Sequence, residues 1–526
     1  MRKTLSILVS FLMIASLFAI GVNAAEGTAI NTADEFMAMA ADGTYYLNAD
    51  ITITATFDPT FTGTLDGNGH TVTVSTPMFK QMDGTVKNLT TIGEITSSEK
   101  VFLGAVARQA QGTLENITNK ADITSTYAFA NKDALCVGGI VGKNQNGKAA
   151  TFVKCANYGA ISGPEATGGI LGESQNADIS FTDCYNAGDI TSTFNVSGVA
   201  AGGIIGYSGT GCSILKNCVN DGNITSGYRA GGIQGDARKS ANVDSCVNNG
   251  TVKGDNIAAG IVGYSGDKDI AVGLTIKNSI NNGDVTGTGG GTGGAAGIAG
   301  YAWAKDDDAV KSTTIENCVN NGNIHLVNKG FASEFVAYSN SMNNKFINLI
   351  GTGKVDATGD DPTAMHLVFI GLSSSDSTKY TVQNVFMADG SNLTHYSWSA
   401  TEGTTSIIEF SAIDGKDLSD TAKAITRGTV AEIVEKANAA IGAKTFAVKD
   451  GKVVFADAST EPTTPPTTEP EVPATEPTTP PTTEPEAPAT EPTAPSTGDN
   501  AIVIVAAVAM VSILGVCLIG KKKVTE

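Results

Sequence analysis

One phrase recurs along this chain and limits what it can fold into. C-x-N-x-G-x-[IV] is written at Cys155/Asn157/Gly159/Ile161, Cys184/Asn186/Gly188/Ile190, Cys218/Asn220/Gly222/Ile224, Cys246/Asn248/Gly250/Val252 and Cys318/Asn320/Gly322/Ile324. A further copy, Ser279/Asn281/Gly283/Val285, lacks only the sulfur. Between copies stands a second phrase, [AG]-G-I-x-G, at Ile140, Ile170, Ile204, Ile233, Ile261 and Ile298. Spacings of 28 to 39 residues mean a stack of like units rather than a globule with one pocket. About three short extended pieces fit in each unit. The spacing therefore predicts an all-β chain coiled as a right-handed parallel β-helix, a β-solenoid whose strands pair one coil away at about 4.8 Å.

Each repeated residue has a physical reason. Eight cysteines in an exported chain would ordinarily point to disulfides. Five of them hold one repeat position, so Cys155, Cys184, Cys218, Cys246 and Cys318 are predicted to stack as compact buried thiols. Asn157, Asn186, Asn220, Asn248, Asn281 and Asn320 are predicted to hydrogen-bond amide to amide along the stack. The glycine two places on is predicted at positive φ, where a side chain costs about 1 kcal/mol or more. The isoleucine of each Gly-Gly-Ile strand points inward.

The ends of the chain read differently. Arg2 and Lys3 precede an apolar run from Leu5 to Ile20 and then Val22-Asn23-Ala24, a signal peptide over residues 1–24. Residues 25–412 form the β-helix domain, with the clearest repeats over 136–326. Thr32 and Glu35 read as a capping box for a short helix covering the open N-terminal edge. Past Gly330 the phrases fade, and Phe346–Val355, Leu367–Leu372, Tyr380–Phe386 and Ile407–Phe410 read as looser coils. Residues 413–457 read as a small α/β C-terminal cap. It has helical spacing over Thr421–Ile441 and a hairpin over Phe446–Phe455 around Asp450-Gly451.

Residues 458–496 hold twelve of the sixteen prolines and repeat Thr-Glu-Pro-Thr-Thr-Pro-Pro. They read as a disordered, extended spacer reaching about 120 Å at about 3.1 Å per residue. Ala501–Gly520 is an unbroken apolar stretch followed by Lys521, Lys522 and Lys523. That is long enough for a transmembrane helix with a cytoplasmic basic tail. The net charge of −19 argues against nucleic acid or an anionic membrane surface as a partner.

Two resemblances follow from these residues. Ala494-Pro495-Ser496-Thr497-Gly498, with the apolar run and the lysines behind it, resembles a Gram-positive cell-wall sorting signal over 494–526. That family has leucine where this chain has Ala494. The resemblance implies that a sortase cuts between Thr497 and Gly498 and joins Thr497 to peptidoglycan. Without processing, 501–520 would hold the chain in the membrane. Val137-Gly138-Gly139-Ile140-Val141-Gly142 and Cys155 to Ile161 resemble the GLUG-motif repeats of bacterial surface proteins. This second likeness covers roughly 100–330, and it implies surface location and a scaffold that adhesin-like proteins and surface peptidases share.

Chemistry is harder to find. His70, His325, His366 and His395 are scattered, with no metal-ligand spacing. Asp306-Asp307-Asp308 reads as a solvated loop rather than a Ca²⁺ site. Asp66-Gly67-Asn68-Gly69 reads as a turn. No catalytic cluster, metal or cofactor is called for. Binding has better support. The residue after each Gly-Ile-x-Gly, namely Lys143, Glu173, Tyr207, Asp236, Tyr264 and Tyr301, is predicted to face outward. Tyr264 and Tyr301 then lie on neighbouring coils, with Tyr207 on the same face and Trp303 beside them. Together they are a candidate platform for sugar rings. The expected function is a wall-anchored surface protein that adheres or binds, with extracellular carbohydrate or another cell surface as partner. A polysaccharide lyase or glycoside hydrolase on the same fold, or a passive stalk, are the alternatives.

Overall fold

The computed structural model describes residues 26–456, apart from 129–134, 145–146, 176, 267–272, 290–292, 304–311, 340–342, 360–364, 373–379 and 390–424. The signal peptide, the spacer, the sorting motif, the apolar tail, Asp306–Asp308, His395 and Ile407–Phe410 lie outside the described residues. Among the described helices none is long and apolar enough to cross a membrane.

The fold is all-β and solenoid-like. The described strands form a sheet of 29 strands, a sheet of 16 and a separate two-stranded hairpin. Pairing runs from each coil to the next in parallel, with equivalents opposite one another. Asn186 faces Asn220, Ile190 faces Ile224, and Gly202 faces Gly231. One coil illustrates the rest. Cys212–Lys216, Val219–Asn220 and Ile224–Ser226 belong to the larger sheet. Arg229–Gly231 and Gln234–Ala237 belong to the smaller. The next coil begins at Ser240.

A coil thus holds five short strands rather than three. Part of the reason is a bend just before each column cysteine and before Ser279, which takes the cysteine's place in one coil. Lys154, Asp183, Asn217, Ser245, Asn278 and Asn317 all take left-handed backbone, with φ between 48° and 55°. Asparagine and aspartate tolerate that region best among residues with a side chain. The expectation of positive φ at Gly159, Gly188, Gly222, Gly250, Gly283 and Gly322 is therefore corrected: none of them is at positive φ. They are glycine because the coils approach too closely for a Cβ. One on Gly188 would stand 1.9 Å from the carbonyl oxygen of Gly159, and one on Gly222 2.0 Å from that of Gly188.

The inward columns fill one continuous core. Phe152 and Phe181 stack at 4.9 Å, with Leu215 and Val243 above them in register. The asparagines run beside this core as a hydrogen-bonded ladder. Thr91 Oγ1 donates to Asn119, and Nδ2 of Asn119, Asn157, Asn186, Asn220, Asn248 and Asn281 each donates to the next Oδ1 at 2.7–2.8 Å. Every Nδ2 also donates to the carbonyl two residues on, so both amide hydrogens are used. Asn320 ends the ladder by donating to Glu334 Oε2.

The cysteine column is buried beside it. Cys155, Cys184, Cys218, Cys246 and Cys318 are free thiols with no more than 1% exposure. Cys184 Sγ donates to Phe152 O at 3.6 Å and Cys218 Sγ to Lys216 O at 3.4 Å. Burial raises the Cys184 and Cys246 thiols and pushes Cys318 up to about 12. Cys218 is shifted the other way: against its burial, hydrogen bonds with Cys184 and Cys246 hold it low, while burial raises Cys212. Access therefore decides: alkylation needs a sulfur that the reagent can reach, and no column thiol is more than 1% exposed. In the native 26–456 unit, iodoacetamide is therefore expected to modify half-exposed Cys212 first and to spare the column until denaturant is added. Mass mapping of native and unfolded samples checks this, and modification of Cys218 at the rate of Cys212 would contradict it.

Among the described residues two helices pack on the coils. α1, Ala33–Met37, starts at Thr32, whose Oγ1 accepts from Glu35 N at 3.2 Å. The Glu35 carboxylate accepts from Asn31 N instead of Thr32 N, so the box closes on one side only. Phe36 packs its ring on Phe57 and Phe79. α2, Val430–Ile441, has a complete capping box between Thr429 and Glu432 and ends at Gly442 with φ 75°. The predicted helical stretch therefore starts later than its spacing implied. Ile425–Gly428 is a strand paired with Val385–Ala388 in the larger sheet. The hairpin of Phe446–Lys449 with Lys452–Phe455 turns at Asp450 and Gly451, both at positive φ.

Candidate functional site

The expectation that the residues after Gly-Ile-x-Gly face solvent is corrected by the packing. Lys143, Glu173, Asp236, Tyr264 and Tyr301 are buried, and Tyr207 is half-buried. The two strand stacks of the smaller sheet lie against each other, offset by one coil. The last glycine of the phrase permits it: a Cβ on Gly206 would stand 2.7 Å from the backbone nitrogen of Thr167. Residues that alternation sends away from the main core therefore meet in a seam.

That seam pairs its charged side chains with one another, while Asp236 Oδ1 and Arg229 Nε are buried with no hydrogen-bond partner. Lys143 Nζ lies 3.3 Å from Glu173 Oε1, and Cys136 Sγ donates to Glu173 Oε2 at 2.7 Å. Asp236 accepts from Arg229 and lies 3.2 Å from Arg238 Nε. The Arg229 guanidinium sits 3.6 Å from the Tyr264 ring centroid. Tyr264 and Tyr301 do stack, at 5.2 Å and 13°, and Tyr338 extends the pile at 4.9 Å. Ile257 and Phe331 cover it. These rings fill the space between two strand stacks, so they do not form an open sugar platform. Trp303 ends its strand opposite Gly266.

No catalytic constellation gathers elsewhere in the described residues. His70 pairs with Asp50 and His325 with Asp356, each near the surface. Among the described residues, no group of three or more His, Cys, Asp or Glu is placed to hold a metal.

An aromatic patch does lie on the outside of the larger sheet, in the variable slots of C-x-N-x-G. The slot after cysteine carries Ala156, Tyr185, Val219, Val247, Ile280 and Val319, one per coil. The slot after asparagine carries Tyr158, Ala187, Asp221, Asn249, Asn282 and Asn321. Over the later coils α2 and the hairpin cover this stripe. Ile433, Val434, Ala437, Phe446 and Val453 pack on Ile280, Val319, Ile350 and Phe386. Asn321 exchanges hydrogen bonds with Val453 O at 2.9 Å and Val453 N at 3.1 Å.

Over the earlier coils the stripe ends in Tyr158 and Tyr185, whose ring centroids are 5.5 Å apart. Tyr185 is nearly covered and Tyr158 half-exposed. Tyr185 donates its hydroxyl to Asp221 Oδ2 at 2.6 Å, and Asn249 Nδ2 donates to Asp221 Oδ1 at 2.7 Å. Burial and then the Asp221 charge raise the Tyr158 phenol. The same two causes, with the Tyr185–Asp221 hydrogen bond between them in size, raise Tyr185 further, so both stay neutral hydroxyls. The result is a half-open ring, a second ring behind it and an exposed carboxylate held from two sides.

No family model and no curated protein matches the chain. Among solved structures it is similar to a Bacteroides ovatus protein described as a candidate immunoglobulin A1 protease. The identity is 15%, over 47% of this chain and 85% of that one, with a TM-score of 0.37. A likeness at that level carries no functional argument.

Proposed function

We propose that the chain is an exported surface protein, joined to the cell wall at Thr497, whose right-handed β-helix binds glycans on its lateral face. In this reading α1 closes one end of the coils and residues 425–456 the other. The signal peptide over 1–24, the proline-rich spacer, the sorting-signal likeness and the GLUG likeness support the location. The observation that carries binding is the Tyr158–Tyr185 pair beside Asp221. The C–H face of a sugar ring stacks on an aromatic ring, and its hydroxyls donate to a positioned carboxylate. Tyr185 and Asn249 fix Asp221, so little side-chain freedom is lost on binding.

The 26–456 unit is expected to be retained on at least one member of a broad panel of immobilised polysaccharides. Tyr158→Ala is expected to weaken that retention roughly tenfold, or about 1.4 kcal/mol. Tyr264→Ala acts on stability instead, because its ring is internal. Absence of retention on the whole panel would leave the passive stalk as the reading.

A further inference from the structure

We infer that the glycan taken at the Tyr158–Tyr185 face is an amino sugar, a hexosamine residue whose amine is free and positively charged. This rests on the glycan reading above and names the sugar class that reading leaves open. The slot after asparagine places Tyr158, Ala187 and Asp221 on three successive coils. Ring and carboxylate therefore stand two coil spacings apart, about 9–10 Å, with the small side chain of Ala187 between them. Ala187 packs on Tyr185 and Val219, so it forms the floor of a notch. A single sugar ring spans that notch, with its C–H face on Tyr158 and its substituents at Asp221.

The Asp221 end of the notch is ionic and fixed. Tyr185 donates to Asp221 Oδ2 at 2.6 Å and Asn249 Nδ2 to Oδ1 at 2.7 Å. An ionised carboxylate has about four acceptor sites, so each oxygen of this exposed side chain can take a second donor. After burial, the Asp221 charge is what raises the Tyr158 phenol, so its field reaches the ring. A second exposed carboxylate, Asp189, stands two residues beyond Ala187 on the same coil. Its Oδ1 accepts from Asn223 N at 2.9 Å and from Asn223 Nδ2 at 3.0 Å. On the other side of Tyr158, one coil earlier, the same slot carries exposed Lys120. The notch is therefore polarised, and a cation on the ligand belongs at the Asp221 end.

That polarity selects the sugar. A neutral ring over Asp221 takes water from a charge and returns only hydroxyl hydrogen bonds. An ammonium returns the opposite charge as well, and charge-assisted hydrogen bonds are roughly twice as strong as neutral ones. The tyrosine face adds a further attraction for a cation. With an amine and a hydroxyl on adjacent carbons, one donor reaches each Asp221 oxygen. N-acetylation removes the charge, and an acidic sugar meets two carboxylates of its own sign. The net charge of −19 also draws any polycation toward the chain, so the test must separate this site from the overall field.

The test is calorimetric titration of the purified full chain in mild detergent and mildly acidic buffer, where the amine is charged. Tetramers of β-1,4-linked glucosamine, N-acetylglucosamine and glucose are compared. The glucosamine tetramer is expected to bind at least ten times more tightly than the other two, and added salt narrows the gap. Asp221→Asn is expected to abolish that preference while the neutral tetramers keep their affinity within about twofold. Asp189→Asn should reduce the preference about threefold. A melting curve accompanies each variant, and Asp189→Asn carries the test if Asp221→Asn melts early. Tyr158→Ala is expected to weaken all three tetramers, which reports on the glycan face itself. Neutral tetramers that match glucosamine would overturn the amino-sugar assignment and leave the face standing. A preference that survives in both folded aspartate variants would overturn it too, as attraction to the overall charge. Binding of no glycan at all would remove the face and this assignment together.

Discussion

Asn220→Ala is expected to destabilise the 26–456 unit by roughly 3–6 kcal/mol, measured by urea unfolding. The substitution removes three hydrogen bonds at once. Asn186 Nδ2 loses its acceptor at 2.7 Å, Asn248 Oδ1 loses its donor at 2.7 Å, and the Gly222 carbonyl loses its donor at 2.8 Å. All three groups are too buried for water to replace the partner, and each orphan costs about 1–3 kcal/mol. Asn249→Ala, one coil on and exposed, is the control. Its amide bonds Asp221 at the surface, where such changes stay within about 0.5 kcal/mol. Equal effects at 220 and 249 would show that the ladder is not an internal wall.

The second large effect is on pH dependence and comes from Glu334. It stands where earlier coils have the second glycine of the phrase, and Gly351 opposite Asn320 leaves room for its carboxyl. Burial raises Glu334 to about 8, and the Asn320 amide only partly offsets that. The folded chain thus keeps this proton up to about pH 8, while the unfolded chain releases it near the ordinary 4.5. Between those values the folded state binds more protons, so stability falls as pH rises. The slope approaches about 1.4 kcal/mol per pH unit for this one group. Below pH 4.5 its contribution is complete, and above 8 it is lost. Asp50 is held low by the Thr71 backbone N–H and acts with opposite sign, but only below its ordinary 3.8. Unfolding midpoints at pH 5, 6.5 and 8 are expected to fall steadily in the natural chain and to flatten in Glu334→Gln. The same slope in both would contradict this account of the ladder's end.

These effects separate what spacing can reveal from what it cannot. The cysteine, asparagine and isoleucine columns are legible because one residue type recurs at one place in each unit. Parallel in-register stacking turns that recurrence into neighbours. The side that Tyr264 and Tyr301 face was not legible. Alternation gives the direction away from the core, but a second strand stack occupies that direction, and only the contact between coils makes it so. The left-handed position escaped for a different reason. Its residues vary, Lys154, Asp183, Asn217, Ser245, Asn278 and Asn317, and the signal was the run of Asn and Asp just before the phrase. Tyr158 and Tyr185 sat in plain view in the unspecified slots. What marks them is change from copy to copy within a constant frame.

In the proposed function the repeated residues build the wall and the variable slots at 158, 185 and 221 carry the binding face. A crystal structure of the 26–456 unit soaked with the best-retained oligosaccharide tests it most directly. The expected result is a sugar ring against the exposed face of Tyr158, with a hydroxyl within hydrogen-bond distance of an Asp221 oxygen. A well-ordered sugar on any other part of the coil, with Tyr158 and Asp221 bare, would contradict it.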